Sequence, residues 1–391
     1  MNMDRLVNRA WAEIELDCIA GNVAEVRRIV GTRTEIMAVV KADAYGHGVT
    51  DTVQTLLDAG VSRLAVSMLD EALQLRQCGV DAPILVLGYT DPKRAVDVLH
   101  GNITQTVFSH DLAVALSMAA QAEGRTIRVH VKIDTGMSRV GFMPGYSAVK
   151  DVVAISRLPG IVIEGIFTHF STADEPDPRF TDHQFELFES ILSELNRIGV
   201  MIPLRHADNS AGLLAHPLTI LDMVRPGIVL YGLLPAPGIR TGGIALRPAM
   251  SLKAHVILLK EIAAGTPVSY GRKWVAERPS RIATIPVGYA DGYSRLFSNH
   301  ARVLVNGQYA PIVGTVCMDQ CMVDVTDVTG EVKTGDEVVL FGEQGGCRIA
   351  VEELAELAGT IPYEIVCLIG KRIPRVYKRN GEVVQIRNYL I

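Results

Sequence analysis

Residues 35–48 read "EIMAVVKADAYGHG". Ile36–Val40 is an unbroken apolar run of strand length, the pattern of a strand covered on both faces. It ends on one lysine, Lys41, followed by a small, glycine-punctuated turn that holds Tyr45 and His47. A lysine at such a tip ordinarily snorkels to the surface, because buried lysines are rare unless paired. The rest of the chain decides which kind of lysine this is.

Working outward, short apolar runs alternate with helical stretches: "RLAVS" from 63, "ILVLG" from 84, "TQTVF" from 104, "IRVHVKID" from 127, "IVIEGIFTHF" from 161, "LRHAD" from 204 and "DMVRPGIVLYG" from 222. Between them lie segments such as "RFTDHQFELFESILSELNRIG", with Thr181 and Asp182 as expected caps. Its apolar spacing runs along Phe185, Phe188, Ile191 and Leu192, and Gly199 is its stop. Eight strand-then-helix units point to a closed parallel (β/α)8 barrel, which typically takes about 250 residues. A doubly wound open sheet is the rival. Residues 234–248, "LPAPGIRTGGIALRP", are dense in proline and glycine and read as a linker. Beyond it the pattern turns to β, with Asn-Gly pairs in "RVLVNGQYAPI" and "RVYKRNGEVVQI" that favour two-residue hairpin turns. The expected organisation is a TIM-type α/β barrel over 16–240 and a mainly antiparallel β domain over 241–391. Residues 1–15, where Ala12, Ile14 and Leu16 alternate with acidic neighbours, form a strand expected to join that second domain.

Composition narrows the partners. The 391 residues are 48% hydrophobic and 21% charged, with a formal net charge of −5 and no block of like charge. That leaves no basic footprint for nucleic acid or an anionic membrane surface. No segment reads as a signal peptide or a bilayer span, so a cytoplasmic location and a small-molecule partner are expected. Six cysteines stand without CxxC pairs or histidine companions, so neither a disulfide framework nor a metal site is indicated.

In a barrel of this kind the loops after the strands form the catalytic face. They would carry Lys41 and Tyr45, then Lys132, Asp134, Ser138 and Arg139, then His169, Thr172 and Asp174, then His206, Asp208, Asn209 and Ser210, and finally Arg225, Gly227 and Ile228. Each has a plain explanation alone: His169 as a core histidine, Arg225 as a surface cation, Ser210 as a helix cap. Together they suggest more. Backbone N–H groups at a helix start and at a tight turn bind phosphate, so Ser210 before "AGLLAH" and the "RPGI" turn would form two sides of a cup, closed by the Tyr45 hydroxyl. A phosphate there and an amine at Lys41 suggest a phosphorylated aldehyde held as a Schiff base, the way pyridoxal phosphate is carried.

The motifs "AVVKADAYGHG", "KIDTGMSRVGF", "THFSTAD", "NSAG", "VRPGIVLYG", "VSYG", "IPVGYADGYSR" and "VGTVCMDQ" resemble, in order and over nearly the whole chain, those of the alanine racemases. That resemblance implies pyridoxal phosphate on Lys41, an amino-acid substrate, and a homodimer in which Tyr270 of "VSYG" is the second catalytic base, supplied across the interface. D-alanine for cell-wall peptidoglycan would be the product. Arg225 would meet the pyridine nitrogen and, because a guanidinium keeps its proton, leave the ring unprotonated. His169 would pack on the ring and Arg139 would meet the phenolic oxygen and the substrate. Tyr45, Asn209, Ser210, Gly227 and Ile228 would hold the cofactor, Met318 would offer its N–H to the substrate carboxylate, and Lys132 matches a position carbamylated in some members. Two positions depart from the family pattern: Lys371 stands where a pocket tyrosine is common, and Thr315 where an arginine is. They leave a serine or broader-specificity amino-acid racemase open as the alternative to strict alanine specificity. Aldolase-type barrels, non-enzymatic carriers of the cofactor and amino-acid decarboxylases are the competing classes.

Overall fold

A computed structural model describes residues 9–391. The first described strand is β1 (Ala10–Glu15). Eight further strands follow at the expected places: β2 (Glu35–Val39), β3 (Arg63–Val66), β4 (Ile84–Val86), β5 (Thr104–Val107), β6 (Ile127–Lys132), β7 (Ile161–Phe167), β8 (Leu204–His206) and β9 (Met223–Val224). Each of the seven pairings in the order β8-β7-β6-β5-β4-β3-β2-β9 is parallel. The ring closes between β8 and β9, where the Asp222 N–H donates to Arg205 O at 3.1 Å and the Arg225 N–H to Asp208 O at 3.0 Å. The barrel is therefore closed, and the open doubly wound sheet is excluded.

Two expectations about helix starts are corrected. The helix Arg179–Arg197 begins before Thr181, which is buried inside it, and the Asp182 N–H already donates to Pro178 O. The N-cap position falls instead to Pro178, which has no polar side chain to cap with, and the Asp177 carboxylate just outside it accepts from the Arg179 N–H at 3.1 Å. Likewise Asn209, not Ser210, caps the helix Ser210–Ala215, accepting from the N–H groups of Ala211 and Gly212 at 3.0 and 2.9 Å. This leaves the Ser210 hydroxyl free for another partner.

The second region contains β10 (Met250–His255), β11 (Leu258–Ile262), β12 (Pro267–Val268), β13 (Trp274–Val275), β14 (Ser280–Ile285), β15 (Arg302–Val305), β16 (Gln308–Pro311), β17 (Cys321–Asp324), β18 (Glu337–Gln344), β19 (Cys347–Ile349), β20 (Arg375–Arg379) and β21 (Glu382–Arg387). Pairing there is antiparallel throughout, apart from the docking of β1. Both Asn-Gly pairs make two-residue hairpins, with φ of 52° and 72° at Asn306–Gly307 and 54° and 78° at Asn380–Gly381. Those left-handed angles suit the right-handed twist of the flanking strands, and Asn and Gly tolerate them. β1 pairs with β10 and, in parallel, with β20; residues 1–8 of the expected 1–15 segment lie outside the described residues. The proline- and glycine-rich crossing is tied down on the barrel side, where Asn22 exchanges side-chain hydrogen bonds with the Arg247 backbone at 2.9 Å.

Candidate active site

Lys41 stands at the C-terminal mouth of the barrel, at the head of a turn in which Ala42, Asp43, Ala44 and Tyr45 all have φ between 53° and 55°. Four consecutive non-glycine residues in the left-handed region cost roughly 1–2 kcal/mol each, so the turn persists only because its surroundings over-determine it. The braces are specific. Glu71 accepts from the Ala42 N–H at 2.7 Å, Asp43 accepts from the Val49 N–H at 2.7 Å, and the Tyr389 hydroxyl donates to Asp43 at 2.6 Å. Arg375 holds the far end through Gly46 O at 3.1 Å. Chain from the extreme C-terminus therefore fixes the lysine's backbone.

The lysine opens on a cavity of about 350 Å³ whose wall also carries Tyr45, Lys132, Arg139, His169, Asn209, Ser210, Arg225 and Gly227. Burial, reinforced by the nearby Arg139 guanidinium, lowers the Lys41 ammonium from its ordinary value. Burial likewise brings Lys132 down to about 7, with the Arg225 charge adding to it, and Lys132 donates to Ile133 O at 2.7 Å. His169 is pushed well below the ordinary imidazole value by burial and Arg225, so it is neutral, and its Nδ1 accepts from Arg225 at 3.3 Å. Arg225 is buried, and burial brings it down to about 10, which still leaves it protonated at neutral pH. It is no surface cation. Arg139 is set by its loop: burial raises the Asp134 carboxyl, but the N–H groups of Gly136, Ser138 and Arg139, with Lys132, outweigh this and hold it below its ordinary value.

At the back of the cavity the Ser210 hydroxyl, spared from capping, accepts from the Gly227 N–H at 2.8 Å. A methyl group on Gly227 would come within 2.5 Å of the Tyr45 hydroxyl, so only glycine lets these three residues meet. Among the described residues the backbone N–H groups of Ser210 and Ile228 find no acceptor in the chain. Paired free N–H groups at a helix start and a tight turn, with a phenol and a hydroxyl beside them, make a phosphate cradle. The cradle, the amine of Lys41 and the buried guanidinium of Arg225 fit the phosphate, aldehyde and ring nitrogen of pyridoxal phosphate.

Tyr270 and Met318 are elsewhere. Neither lines this cavity: Tyr270 is 70% exposed and Met318 51% exposed, both in the β region. Tyr270 sits on a tight turn in which Ser269, Gly271 and Arg272 have positive φ. Thr315, buried beneath it, donates its hydroxyl to Tyr270 O at 2.9 Å and accepts from Ser269 at 2.5 Å. Thr315 thus shapes the turn from below, and Lys371 is exposed and does not line the cavity. Tyr363, on the short helix Pro362–Cys367, does line it, although a tyrosine after a proline carries no local sequence signal of a distant pocket.

Comparison with known proteins decides the family. The description "Alanine racemase, N-terminal domain" fits residues 14–235 and "Alanine racemase, C-terminal domain" fits residues 249–377. The alanine racemase of Clostridium novyi is 48% identical over 380 residues, 97% of this chain and 98% of its own. The chain belongs to the alanine racemase family. Among solved structures, the alanine racemase of Clostridium difficile 630 superposes with a TM-score of 0.94 at 40% identity, covering 98% of this chain and 99% of that one. That of Bacillus anthracis with bound L-Ala-P superposes at 0.91 and 38% identity, covering 97% and 98%. The chain is therefore a pyridoxal-phosphate-dependent isomerase that interconverts L- and D-alanine. A role in supplying D-alanine to the cell wall is consistent with the family. Among the described residues no helix is long and apolar enough to cross a membrane.

Proposed function

We propose that Lys41 and the partner subunit's Tyr270 are the two acid–base groups of this racemase, in a homodimer whose sites each draw on both chains. The observation that carries this is the separation inside one chain: Lys41 heads a braced turn over a cavity, whereas Tyr270 is 70% exposed on its own turn and lines a different surface. Racemisation needs a proton removed from one face of the α-carbon and returned to the other, so two groups on opposite sides are required. Pyridoxal phosphate, joined to the Lys41 amine, supplies the electron sink that stabilises the carbon once the proton has left.

The chain's own residues do the rest. Burial favours the neutral Lys41 amine, the form that can accept a proton. Ser210, Gly227, Ile228 and Tyr45 hold the phosphate, with Asn209 fixing the helix start that presents it. Arg225 meets the ring nitrogen as a donor and does not give up its proton. That keeps electron density at the substrate carbon and favours racemisation over transamination. His169 packs on the ring, Arg139 meets the phenolic oxygen and the substrate, and Met318 of the partner subunit offers its N–H to the carboxylate. Lys132, brought down to about 7, is substantially free amine at neutral pH, the form that adds to carbon dioxide with loss of a proton. The carbamate so formed would be an anion beside Arg139. We further place the enzyme in the cytoplasm and the domain boundary at 240/241, with the N-terminal strand assigned to the β domain.

The decisive test mixes inactive Lys41→Ala and Tyr270→Phe chains. Random exchange in a two-fold dimer puts one intact site in each mixed pair, restoring about a quarter of the wild-type activity per chain. No recovery despite demonstrated exchange overturns the shared site.

A further inference from the structure

The interior of a (β/α)8 barrel is ordinarily filled with layered, branched apolar side chains. Here a file of polar groups crosses it. Arg225 Nη1 donates to His206 Nδ1 at 2.7 Å; His206 Nε2 and His130 Nδ1 are 2.8 Å apart; His130 Nε2 is 3.2 Å from Glu164 Oε2. Beyond it Glu164 pairs with Arg63 at 3.1 Å, and Arg63 with Glu35 at 2.6 Å. Arg225 follows β9 at the catalytic end, whereas Arg63 and Glu35 open their strands at the other. The proton positions follow from chemistry. A guanidinium only donates, so His206 Nδ1 is bare and its Nε2 carries the proton. That proton points at His130 Nδ1, which must then accept, so His130 also carries its proton on Nε2 and gives it to the carboxylate. From Arg225 to His130, each donor in the file faces away from the cavity and toward Glu164.

Backbone features unrelated to hydrogen bonding at Arg225 build this file. Between β6 and β7 the register runs Val129↔Ile163 and then His130↔Gly165, so Glu164 is the extra residue of a bulge, a device that re-aims a side chain. Gly165, opposite His130, leaves room for the imidazole: a methyl group there would meet the ring at 2.6 Å. Phe167 stacks flat on His206 at 4.7 Å and 5° and fixes its plane. Burial pushes both imidazoles below their ordinary value, so they are neutral. Burial opposes ionisation of Glu164, yet His130 and Arg63 outweigh it and hold the carboxyl down at about 2. The other acceptors on the Arg225 guanidinium are uncharged: the carbonyls of Thr168 and Ala207 and the His169 ring. A buried cation whose hydrogen-bond partners are neutral is costly unless counter-charge reaches it, and Asp208, the carboxyl that acts on Arg225 directly, is itself pushed up to about 7 by burial and so balances it only in part.

We infer that Glu164 is a positioning residue for Arg225, acting through His130 and His206 to fix the direction in which the guanidinium donates and to balance its charge across the barrel core. The inference rests on the reading that Arg225 faces the cofactor ring. It makes the bulge and Gly165 part of the racemase's choice between racemisation and transamination.

Three variants of the cofactor-loaded enzyme test it, with 15N chemical shifts of the histidine rings read in parallel. In the wild type, His206 and His130 should both show a bare Nδ1 and a protonated Nε2; a protonated Nδ1 on His206 overturns the inference. Glu164→Gln keeps an oxygen for His130 but removes the charge. Its kcat should fall about tenfold, as when a carboxylate behind a functional ligand is lost, and transamination per racemisation turnover should rise. Gly165→Ala should displace the His130 ring, shift the His206 Nε2 resonance and raise transamination in the same sense. Arg225→Lys tests the underlying reading. If it raises transamination while Glu164→Gln and Gly165→Ala stay within twofold of wild type, the relay is wrong and the reading of Arg225 stands. If Arg225→Lys itself leaves the ratio unchanged, the reading of Arg225 falls and the inference with it.

Discussion

The two halves of the proposed acid–base pair are built in opposite ways. Lys41 is held by groups from Glu71, Val49, Arg375 and Tyr389, residues scattered over almost the whole length of the chain, and its amine faces a cavity walled by several barrel strands. Tyr270 has a fixed backbone, through Ser269 and Thr315, but presents an exposed ring. A large aromatic held rigidly at its base and left uncovered is the form of a group meant for another surface. The contrast shows where precision has been placed. On the proposed reading, the side that bears the cofactor would be complete within one fold, and the side that bears the second base would be complete only on assembly.

Substitutions at the two groups probe this contrast most severely. Lys41→Ala should lose activity by at least about 10⁴-fold together with the protein-bound visible absorption of the cofactor, since both attachment and a proton acceptor go. A variant that keeps the bound absorption removes Lys41 from its role. Tyr270→Phe should lose about 10²–10⁴-fold in racemisation yet keep the absorption spectrum, because only the second base is gone. Solvent-deuterium exchange at the α-carbon should then survive from one enantiomer only. Equal loss of exchange from both would make Tyr270 structural.

A weaker probe lies under the phosphate cradle. Burial pushes the Asp208 carboxyl up to about 7, and although Thr219 donates to its Oδ1 at 2.7 Å, its Oδ2 has no partner. The folded protein therefore holds a proton there that the unfolded chain, with a carboxyl near its ordinary 3.8, releases. Between those values the native state binds more protons, so this group's contribution to stability falls as pH rises from about 4 to about 7. Asp208→Asn should flatten that part of the profile and raise stability at pH 7 by an amount of the order of 1–4 kcal/mol, measured by urea unfolding. An identical pH profile in the variant refutes the assignment.

The smallest effects sharpen the comparison from both sides at once. Tyr389→Phe removes one brace from the lysine turn and Thr315→Val one from the tyrosine turn, each a hydrogen bond worth about 1 kcal/mol. On the contrast drawn above, the first should weaken cofactor binding and the second should leave it intact while lowering kcat severalfold. Cofactor titration and steady-state rates on both variants distinguish them, and the reverse pattern would merge the two halves into one site.

The strands, the barrel and both hairpins were legible in the sequence because their signals are local: apolar runs of strand length, helical periodicity, and Asn-Gly pairs whose left-handed angles are a property of two residues. The cavity residues at the strand ends were legible for the same reason, since strand order determines which loops share a face. Helix starts were read less well. Thr181 and Ser210 have the chemistry of caps, but the N-cap positions fell to Pro178 and Asn209, and only the path of the backbone chooses between neighbouring candidates. What the tertiary structure alone decided are contacts between residues far apart in the chain: Tyr389 on Asp43, Tyr363 at the cavity wall, Thr315 beneath Tyr270, and the bulge that turns Glu164 toward His130. No periodicity encodes these, because each depends on how two distant segments come to lie against one another once the core has packed.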